Sequence, residues 1–393
     1  MIRLPTYIDR YPAKMVATLA DKLITRYTSR CTELLDPFCG SGAILTAAHQ
    51  RGIPVAGLDI NPYAVLLSKV KLEGFHLPSA RNLRDRLVKR ATSLQSPPPI
   101  PWATRDYWFT KGTILKYEKL RYVATRMRLN CSREGRAVLL AYALSVRRCS
   151  RADQRSPKPF ISKRAIERRK GHHFDPLNDI TALLEELGEL YGDPKPGTSQ
   201  VICADLRSAG NCAELTGRFS HVLTSPPYIN AQDYFRNFKL ELHLLDGLLP
   251  FDLAELKSCF IGTERGNLLE GIPKRVIFYH RSLLPHLKQL EVAHPWHASI
   301  IHRYLSDMGK SFDSIRSFLR KDGVLVVVCG DNLVAGYRVR TWCLLSRLLE
   351  DRGFVLFDRF GDRIECRNVP PQRKGHKGLI KQEVISAFCK QDA

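Results

Sequence analysis

The sequence has no long apolar segment, no closely paired cysteines and too few acidic residues to balance its basic ones. Its longest apolar runs, such as 324–329, fall far short of the roughly 20 residues that a membrane-spanning helix needs. No apolar stretch of the signal-peptide kind follows the first residues. The eleven cysteines include no Cys-x-x-Cys pair, which argues against a zinc ribbon. We therefore expect a cytoplasmic protein with reduced thiols, no bound metal and no membrane contact.

The shortage of acidic residues leaves a strongly basic chain. Its 393 residues contain 61 Lys and Arg against 39 Asp and Glu, a net charge of +22. Such a chain is expected to bind a polyanion, most often nucleic acid. The excess is concentrated in 76–200, with 25 basic and 12 acidic residues, and within that range 147–170 contain ten and two.

We interpret 147–170 as a surface that contacts phosphates, with a solvated loop as the alternative. The candidate nucleic-acid-binding residues in this run are Arg147, Arg148, Arg151, Arg155, Lys158, Lys163, Arg164, Arg168, Arg169 and Lys170. A second candidate segment, between the last two predicted strands, contributes Arg373, Lys374 and Lys377.

Hydrophobic patterns divide the chain into an α/β part and a helical part. An amphipathic helix is predicted over 15–30, and a short helix over 43–49 lies between two strands. The predicted strands are 34–35, 55–58, 201–204, 221–224, 324–329, 354–360 and 383–389. Between them, 76–200 show helical patterns and no convincing strand. This order predicts an α/β fold with a doubly wound sheet and a large helical insert.

The first candidate site is the turn 36–42, Asp-Pro-Phe-Cys-Gly-Ser-Gly, between a strand and a helix. Its glycines allow the backbone to approach a ligand. The turn matches neither Gly-x-Gly-x-x-Gly nor the Gly-Lys-Ser/Thr of a phosphate loop, so neither NAD nor ATP is favoured. The acid at its start, Asp36, suits an ammonium group, and Asp59 lies near the usual position of an acid that holds ribose hydroxyls. S-adenosylmethionine carries both groups; a plain structural turn is the alternative.

The second candidate site is 224–228, Thr-Ser-Pro-Pro-Tyr, at the carboxyl end of a predicted strand. Ligands bind at this edge in open α/β sheets. Two prolines fix the backbone, so the Pro226 carbonyl points in a set direction, and the ring of Tyr228 offers a stacking face. The alternative is that the two prolines only mark the transition from the strand to a loop. Asp331 and Asn332 follow a later strand at the same edge, without an assigned role.

These two motifs resemble those of the amino-group DNA methyltransferases, which methylate cytosine N4 or adenine N6. Ser-Pro-Pro-Tyr is typical of the N4-cytosine members, whereas Asp-Pro-Pro-Tyr or Asn-Pro-Pro-Tyr is typical of the N6-adenine members. The segment 11–14, Tyr-Pro-Ala-Lys, resembles the upstream motif beside the methionine end of the cofactor. The similarity is to bacterial modification methylases specific for cytosine N4, and it covers nearly all of the α/β part. The large insert departs from the simplest pattern of the family.

The resemblance implies a Rossmann-like, S-adenosylmethionine-dependent DNA methyltransferase in three parts. Residues 1–75 are the cofactor-binding half, 76–200 the DNA-binding insert and 201–393 the catalytic half. The implied cofactor-binding residues are Tyr11, Lys14, Asp36, Phe38, Gly40, Gly42, Asp59 and Asp205. Among them, Asp36 contacts the methionine amino end, Asp59 the ribose and Asp205 the adenine amino group.

The implied catalytic residues are Ser225, Pro226, Pro227 and Tyr228. Ser225 and the Pro226 carbonyl hold the amine of a cytosine flipped out of the duplex, and Tyr228 stacks on it. The implied partners are double-stranded DNA and a cognate restriction endonuclease or defence proteins. No Pro-Cys dipeptide occurs, which disfavours methylation at cytosine carbon 5.

Three other interpretations stay open at this point. The first is an N6-adenine DNA methyltransferase. The second is a tRNA guanine-N2 methyltransferase, which shares the style of turn but usually carries Asp-Pro-Pro-Tyr and an N-terminal RNA-binding domain. The third is a non-catalytic nucleic-acid-binding subunit on the same fold, against which the intact Ser225–Tyr228 motif and Asp59 argue.

Overall fold

The computed structural model describes residue 11 and residues 15–169, 174–193, 196–229, 233–263, 286–363 and 382–391. The strands are β1 (Leu34–Asp36), β2 (Val55–Asp59), β3 (Ser199–Cys203), β4 (Phe219–Thr224), β5 (Leu319–Gly330), β6 (Asn332–Val334), β7 (Tyr337–Val339), β8 (Phe354–Arg363) and β9 (Gln382–Lys390). The helices are α1 (Ala17–Tyr27), α2 (Ala43–His49), α3 (Pro62–Glu73), α4 (Leu77–Ser93), α5 (Arg105–Trp108), α6 (Lys111–Arg126), α7 (Arg133–Cys149), α8 (Lys163–Arg169), α9 (Pro176–Tyr191), α10 (Tyr234–Leu245), α11 (Leu253–Cys259), α12 (Leu287–Ala293), α13 (Pro295–Phe318) and α14 (Thr341–Glu350).

The chain divides into two compact units. Unit 1 comprises Met1–Pro12, Asn61–Pro196 and Phe235–Leu256, and unit 2 comprises the remaining three segments, Ala13–Ile60, Gly197–Tyr234 and Lys257–Ala393. Unit 1 therefore contains most of the predicted insert, 76–200, together with residues on either side of it.

Unit 2 is built on a seven-stranded sheet with the order β3-β2-β1-β4-β5-β9-β8. The first five strands in this order are parallel, and β9 and β8 are antiparallel to their neighbours. The chain leaves β1 towards β2 and β3, and it returns to the other side of β1 as β4. The strand order thus reverses between β1 and β4, which is the switch point where ligands bind in this architecture. The predicted doubly wound, Rossmann-like α/β sheet is confirmed.

Both faces of the sheet are covered, as parallel sheets require. On one face, α13 and α14 pack in a single apolar cluster with alternate strand residues such as Leu35, Val222 and Leu325. On the other face, α2 contacts β1 and β2. Because both faces are covered, all six residues of β4 are buried.

Unit 1 is helical, and the described residues of 76–198 contain no strand. Two of its helices begin with a side-chain cap followed by proline, Asn61-Pro62 for α3 and Asp175-Pro176 for α9. Tyr142 of α7 donates from its hydroxyl to the carbonyl of Leu244 (3.3 Å), which ties α10 to this unit. The unit boundaries lie elsewhere than 76 and 200, because α3 packs on α7 and α10 is hydrogen-bonded to α7.

A two-stranded hairpin, β6–β7, follows β5 directly and was not predicted. Each of its strands has three residues, too few to show an alternating pattern. None of the helices in the described ranges is both long and apolar enough to cross a bilayer.

Candidate active site

The predicted motif residues of unit 2 meet along one edge of the sheet. Asp36 ends β1, Asp59 ends β2, Asp205 follows β3 by two residues, and Ser225 follows β4 directly. Because these four strands are parallel neighbours in the order β3-β2-β1-β4, their carboxyl ends lie side by side at about 4.8 Å per strand. The fold thus brings three carboxylates and the Ser-Pro-Pro-Tyr motif to the switch point.

The turn 36–42 depends on two glycines. Gly40 and Gly42 have φ angles of +49° and +73°, a left-handed conformation that disfavours any residue with a side chain. Gly57 on β2 lies beneath the turn, and a Cβ there would come within 2.5 Å of Leu45 and 3.1 Å of the Cys39 sulfur. The turn therefore packs directly on the neighbouring strand. Phe38 is half-buried against the apolar core of unit 2.

The two motifs are joined by a hydrogen bond. The Thr224 hydroxyl donates to Asp36 Oδ1 at 2.7 Å, and the Phe38 backbone N–H donates to the same oxygen at 3.2 Å. Asp36 is 2% exposed. Burial raises the pKa of Asp36 to about 7, although both hydrogen bonds oppose this change. Its other oxygen, Oδ2, makes no hydrogen bond with the described residues.

Asp59 braces the glycine turn from the neighbouring strand. Its Oδ2 accepts a hydrogen bond of 2.8 Å from the backbone N–H of Gly40. The same residue accepts through its carbonyl from the Ala204 N–H at 3.0 Å. Its side chain is half-buried, so a carboxylate lies beside the turn at the position predicted for ribose recognition.

Asp205 is held by a cation that the sequence motifs do not include. Arg207 donates from Nε to Asp205 Oδ1 at 2.9 Å and from Nη1 to Asp307 Oδ2 at 3.2 Å. A third contact runs from its Nη2 to the carbonyl of Cys259 at 2.8 Å. Arg207 is itself held by α13, through Asp307, and by α11, through Cys259, and it thereby fixes the orientation of Asp205. The Asp205–Arg207 spacing is visible in the sequence, but Asp307 lies a hundred residues away.

The Ser-Pro-Pro-Tyr motif, which is predicted to be catalytic, leaves β4 at the switch point. Ser225 and Pro227 are half-buried, and Pro226 is buried. Tyr228 is 5% exposed and belongs to the core cluster, and its hydroxyl donates to Glu383 Oε1 on β9 at 2.8 Å. Burial and Glu383 raise the pKa of Tyr228 well above its usual value, so the hydroxyl remains a donor. The stacking role of Tyr228 stays a prediction; its anchor, Glu383, was missed.

Asn332 also supports this loop. From the start of β6, its Nδ2 donates to the carbonyl of Ile229 at 3.1 Å, and its Oδ1 accepts from the Thr341 hydroxyl at 2.8 Å. Asn332 is buried. The sequence placed this residue at the ligand edge without a role, and the structure shows that it holds the backbone next to Tyr228.

The upstream motif is described only in part. Tyr11, in unit 1, stacks on Phe238 with ring centroids 5.1 Å apart, and Phe238 stacks in turn on Tyr63 at 4.9 Å. Lys14 lies outside the described residues, as do Lys170, Arg373, Lys374 and Lys377. The cofactor role of Tyr11 stays a prediction.

Four of the predicted nucleic-acid-binding arginines make contacts within unit 1. Arg147 donates to the carbonyl of Asn237 at 2.8 Å, and Arg148 pairs with Asp179 at 3.2 Å. Arg151 donates to the carbonyl of Asp106 at 3.0 Å. Arg155 pairs with Asp153 at 2.7 Å, and this contact lowers the pKa of Asp153.

Three further cations of the run have a described exposure. Lys158 is half-buried, whereas Lys163 and Arg164 are exposed at the start of α8. Arg168 and Arg169 belong to α8. Binding of nucleic acid by these residues stays a prediction.

The open glycine turn and the carboxyl oxygens of this site fit S-adenosylmethionine. Two glycines in the left-handed conformation leave no side chain over the turn. A carboxyl oxygen of Asp36 without a hydrogen bond suits the methionine ammonium, and the carboxylate of Asp59 beside it suits ribose hydroxyls. The sheet edge presents the acidic groups of Asp36 and Asp59, together with Asp205 that is paired with Arg207, and this acidic edge suits a cationic ligand better than the phosphates of ATP or NAD.

Comparisons with known proteins agree with this assignment. No protein-family model matches the chain. The Type II methyltransferase M.AvaI of Nostoc sp. is 23% identical over 389 residues, covering 88% of this chain and 78% of the relative. M.MjaII of Methanocaldococcus jannaschii is 31% identical over 83 residues, covering 21% of this chain and 16% of the relative.

Among solved structures, an S-adenosylmethionine-dependent methyltransferase from Methanosarcina mazei aligns with a TM-score of 0.36 at 10% identity, over 94% of this chain and 98% of that one. Over 88% of its length the chain is similar to a Type II methyltransferase, and shorter segments are similar to two others.

Proposed function

We propose that this chain is a site-specific DNA methyltransferase that modifies the exocyclic N4 of cytosine in duplex DNA. The hydrogen bond between Thr224 and Asp36 is the observation that carries the proposal, because it fixes the Ser-Pro-Pro-Tyr loop beside the glycine turn. The Type II relatives support a DNA substrate, and the serine at position 225 supports cytosine, by the resemblance described above.

In methyl transfer to cytosine N4, the main task of the protein is to position an unreactive amine. The cytosine N4 lone pair is delocalised into the ring, so the nitrogen must become tetrahedral before it attacks. Acceptors at Ser225 Oγ and the Pro226 carbonyl hold the amine protons and favour that geometry. S-adenosylmethionine, when bound, supplies an electrophilic methyl group on a sulfonium. The nitrogen gains the methyl carbon, the sulfur keeps the electron pair of the broken bond, and the surplus amine proton leaves to solvent.

The depth of the Ser-Pro-Pro-Tyr loop supports base flipping as part of the proposal. Ser225 is half-buried and Pro226 is buried at the sheet edge, a depth that a paired base cannot reach within a duplex. We therefore propose that the target cytosine leaves the helix, at an unstacking cost of a few kcal/mol. The modification half of a restriction or defence system is the biological setting that we propose, since the relatives are Type II enzymes.

Methyl transfer to defined polymers tests the proposed substrate. Purified protein is incubated with methyl-labelled S-adenosylmethionine and either duplex DNA or bulk tRNA, next to Ser225→Ala. We expect label in DNA only, and a kcat lowered about 10²–10³-fold in the variant, because it lacks one preorganised acceptor for the reacting amine. Label in tRNA, or none with either polymer, would contradict the proposal.

Unaltered cofactor binding is the matched control for this variant. Ser225 makes no hydrogen bond to the glycine turn in the described structure, so Ser225→Ala should bind S-adenosylmethionine like the wild type. A variant that loses cofactor binding as well would show that its effect lies outside the transfer step.

A further inference from the structure

A basic groove on α4 remains after the predicted residues have been placed. The helix contains five basic residues and one acidic residue in 17 positions. Two of the arginines are paired, Arg81 with Glu185 and Arg84 with Asp85. The other three, Arg86, Lys89 and Arg90, are exposed and, with Ser93 and Leu94, line a shallow groove that is wide open to solvent.

These three cations share one face of the helix. Positions 86, 89 and 90 are related as i, i+3 and i+4, which places their side chains next to each other. In the part of the chain that the structure describes, none of the three makes an ion pair or a side-chain hydrogen bond. Like charges at this spacing destabilise a helix. The helix dipole favours Arg90 in the last turn, but it does not account for Arg86, which lies one turn earlier.

The first half of the predicted phosphate-contacting run, 147–170, does not offer a comparable set of unpaired cations. Arg147, Arg148, Arg151 and Arg155 all contact carbonyls or carboxylates of unit 1. Each guanidinium therefore has protein partners that hold it in place. By contrast, Arg86, Lys89 and Arg90 are exposed and have no ion pair with any residue that the structure describes, and an anion beside them would relieve their mutual repulsion.

We propose that the α4 groove (Arg86, Lys89 and Arg90) contacts the phosphate backbone of duplex DNA. This inference rests on the proposed DNA methyltransferase function, and it narrows the predicted DNA-binding insert, 76–200, to one face of α4. Three cations on one helical face suit adjacent phosphates of one strand, which carry charge without sequence information. The α4 groove therefore contributes affinity and orientation, and base readout belongs to other residues.

The test is the salt dependence of binding to a labelled duplex. Arg86→Gln, Lys89→Gln and Arg90→Gln are combined, since glutamine keeps helix propensity and removes charge. The matched control combines Lys288→Gln, Lys310→Gln and Arg320→Gln, three exposed residues of unit 2, so that both variants lose the same net charge.

For the α4 variant we expect the slope of log K against log salt to become shallower by about two to three, at roughly 0.9 for each phosphate that the protein no longer neutralises. Affinity for the duplex at low salt should fall at least tenfold, while affinity for S-adenosylmethionine stays unchanged. The control variant should keep the wild-type slope. The single variant Arg86→Lys keeps the positive charge, so it should also keep the wild-type salt slope.

Two outcomes would overturn the proposal, and they are distinguishable from failure of the proposed function. If the wild type methylates DNA and the α4 variant retains the wild-type salt slope, the α4 groove does not contact the duplex and the function stands. If the wild type neither binds nor methylates duplex DNA but the α4 variant loses affinity for tRNA, both the duplex assignment and the proposed function are wrong.

Discussion

At the scale of single residues, Asp36 links the two motifs, because it accepts a hydrogen bond from Thr224. Its place in the glycine turn could be predicted from the sequence, because the acid, the glycines and the flanking strand are contiguous. Its partner could not: Thr224 lies 188 positions away, and only the return of the chain to the other side of β1 brings the two together. The same limit applies to Asp205 and Asp307, which Arg207 joins.

Asp36→Asn should change how stability depends on pH. The folded-state pKa of Asp36, about 7, lies above the unfolded value near 3.9. The unfolded chain therefore loses this proton first, and the wild type loses stability as pH rises from about 4 to about 7, at up to about 1.4 kcal/mol per unit. Asparagine cannot titrate. The unfolding free energy of the variant minus that of the wild type should rise by about 2–3 kcal/mol between pH 5 and pH 8, measured by urea unfolding.

A difference that does not vary with pH would contradict the raised pKa of the buried Asp36. Asp21→Asn is a suitable control, because this exposed carboxylate pairs with Arg51 at the surface, and exposed pairs contribute little.

Tyr228→Phe distinguishes an anchoring role from a stacking role. The ring is retained, but the hydrogen bond to Glu383 is removed. If the bond fixes the catalytic loop, kcat should fall about tenfold, which corresponds to about 1.4 kcal/mol, the upper range for one hydrogen bond. Glu383→Gln keeps an acceptor and should stay close to wild type, whereas Glu383→Ala should match Tyr228→Phe. A fully active Tyr228→Phe would show that the ring alone matters.

At the scale of elements, the helix–strand order of unit 2 was predictable because its strands are short apolar runs with glycine or acidic turns after them. The β6–β7 hairpin escaped prediction, since three-residue strands carry no pattern of their own. It nevertheless supports the site: Asn332, at its start, holds the backbone that follows Tyr228.

Asn332→Ala should therefore lower both stability and turnover. The carbonyl of Ile229 and the hydroxyl of Thr341 lose a buried partner, at about 1–3 kcal/mol. We expect this loss in chemical unfolding and a fall in kcat, with cofactor affinity retained. Leu333→Ala, on the same hairpin but 43% exposed, is the matched control and should leave kcat unchanged. Equal kcat in both variants would show that the hairpin does not support catalysis.

At the scale of the whole molecule, the net charge of +22 indicates a polyanionic partner but not the surface that meets it. Counting charges along the chain placed the excess in the helical insert, and the structure adds which of these cations have protein partners. Arg147 and Arg148 are bound within unit 1, whereas Arg86 and Lys89 are exposed in the α4 groove. Partners of this kind depend on tertiary contacts, which a count of charges does not contain.

The central claim is that the Ser-Pro-Pro-Tyr loop beside the glycine turn methylates cytosine N4, and the identity of the product tests it most directly. Plasmid DNA methylated by the purified protein with labelled S-adenosylmethionine is digested to nucleosides and separated by chromatography with mass detection. We expect the label to co-migrate with N4-methylcytosine and to be absent from the Ser225→Ala reaction. Label in N6-methyladenine or in carbon-5-methylcytosine would contradict the claim.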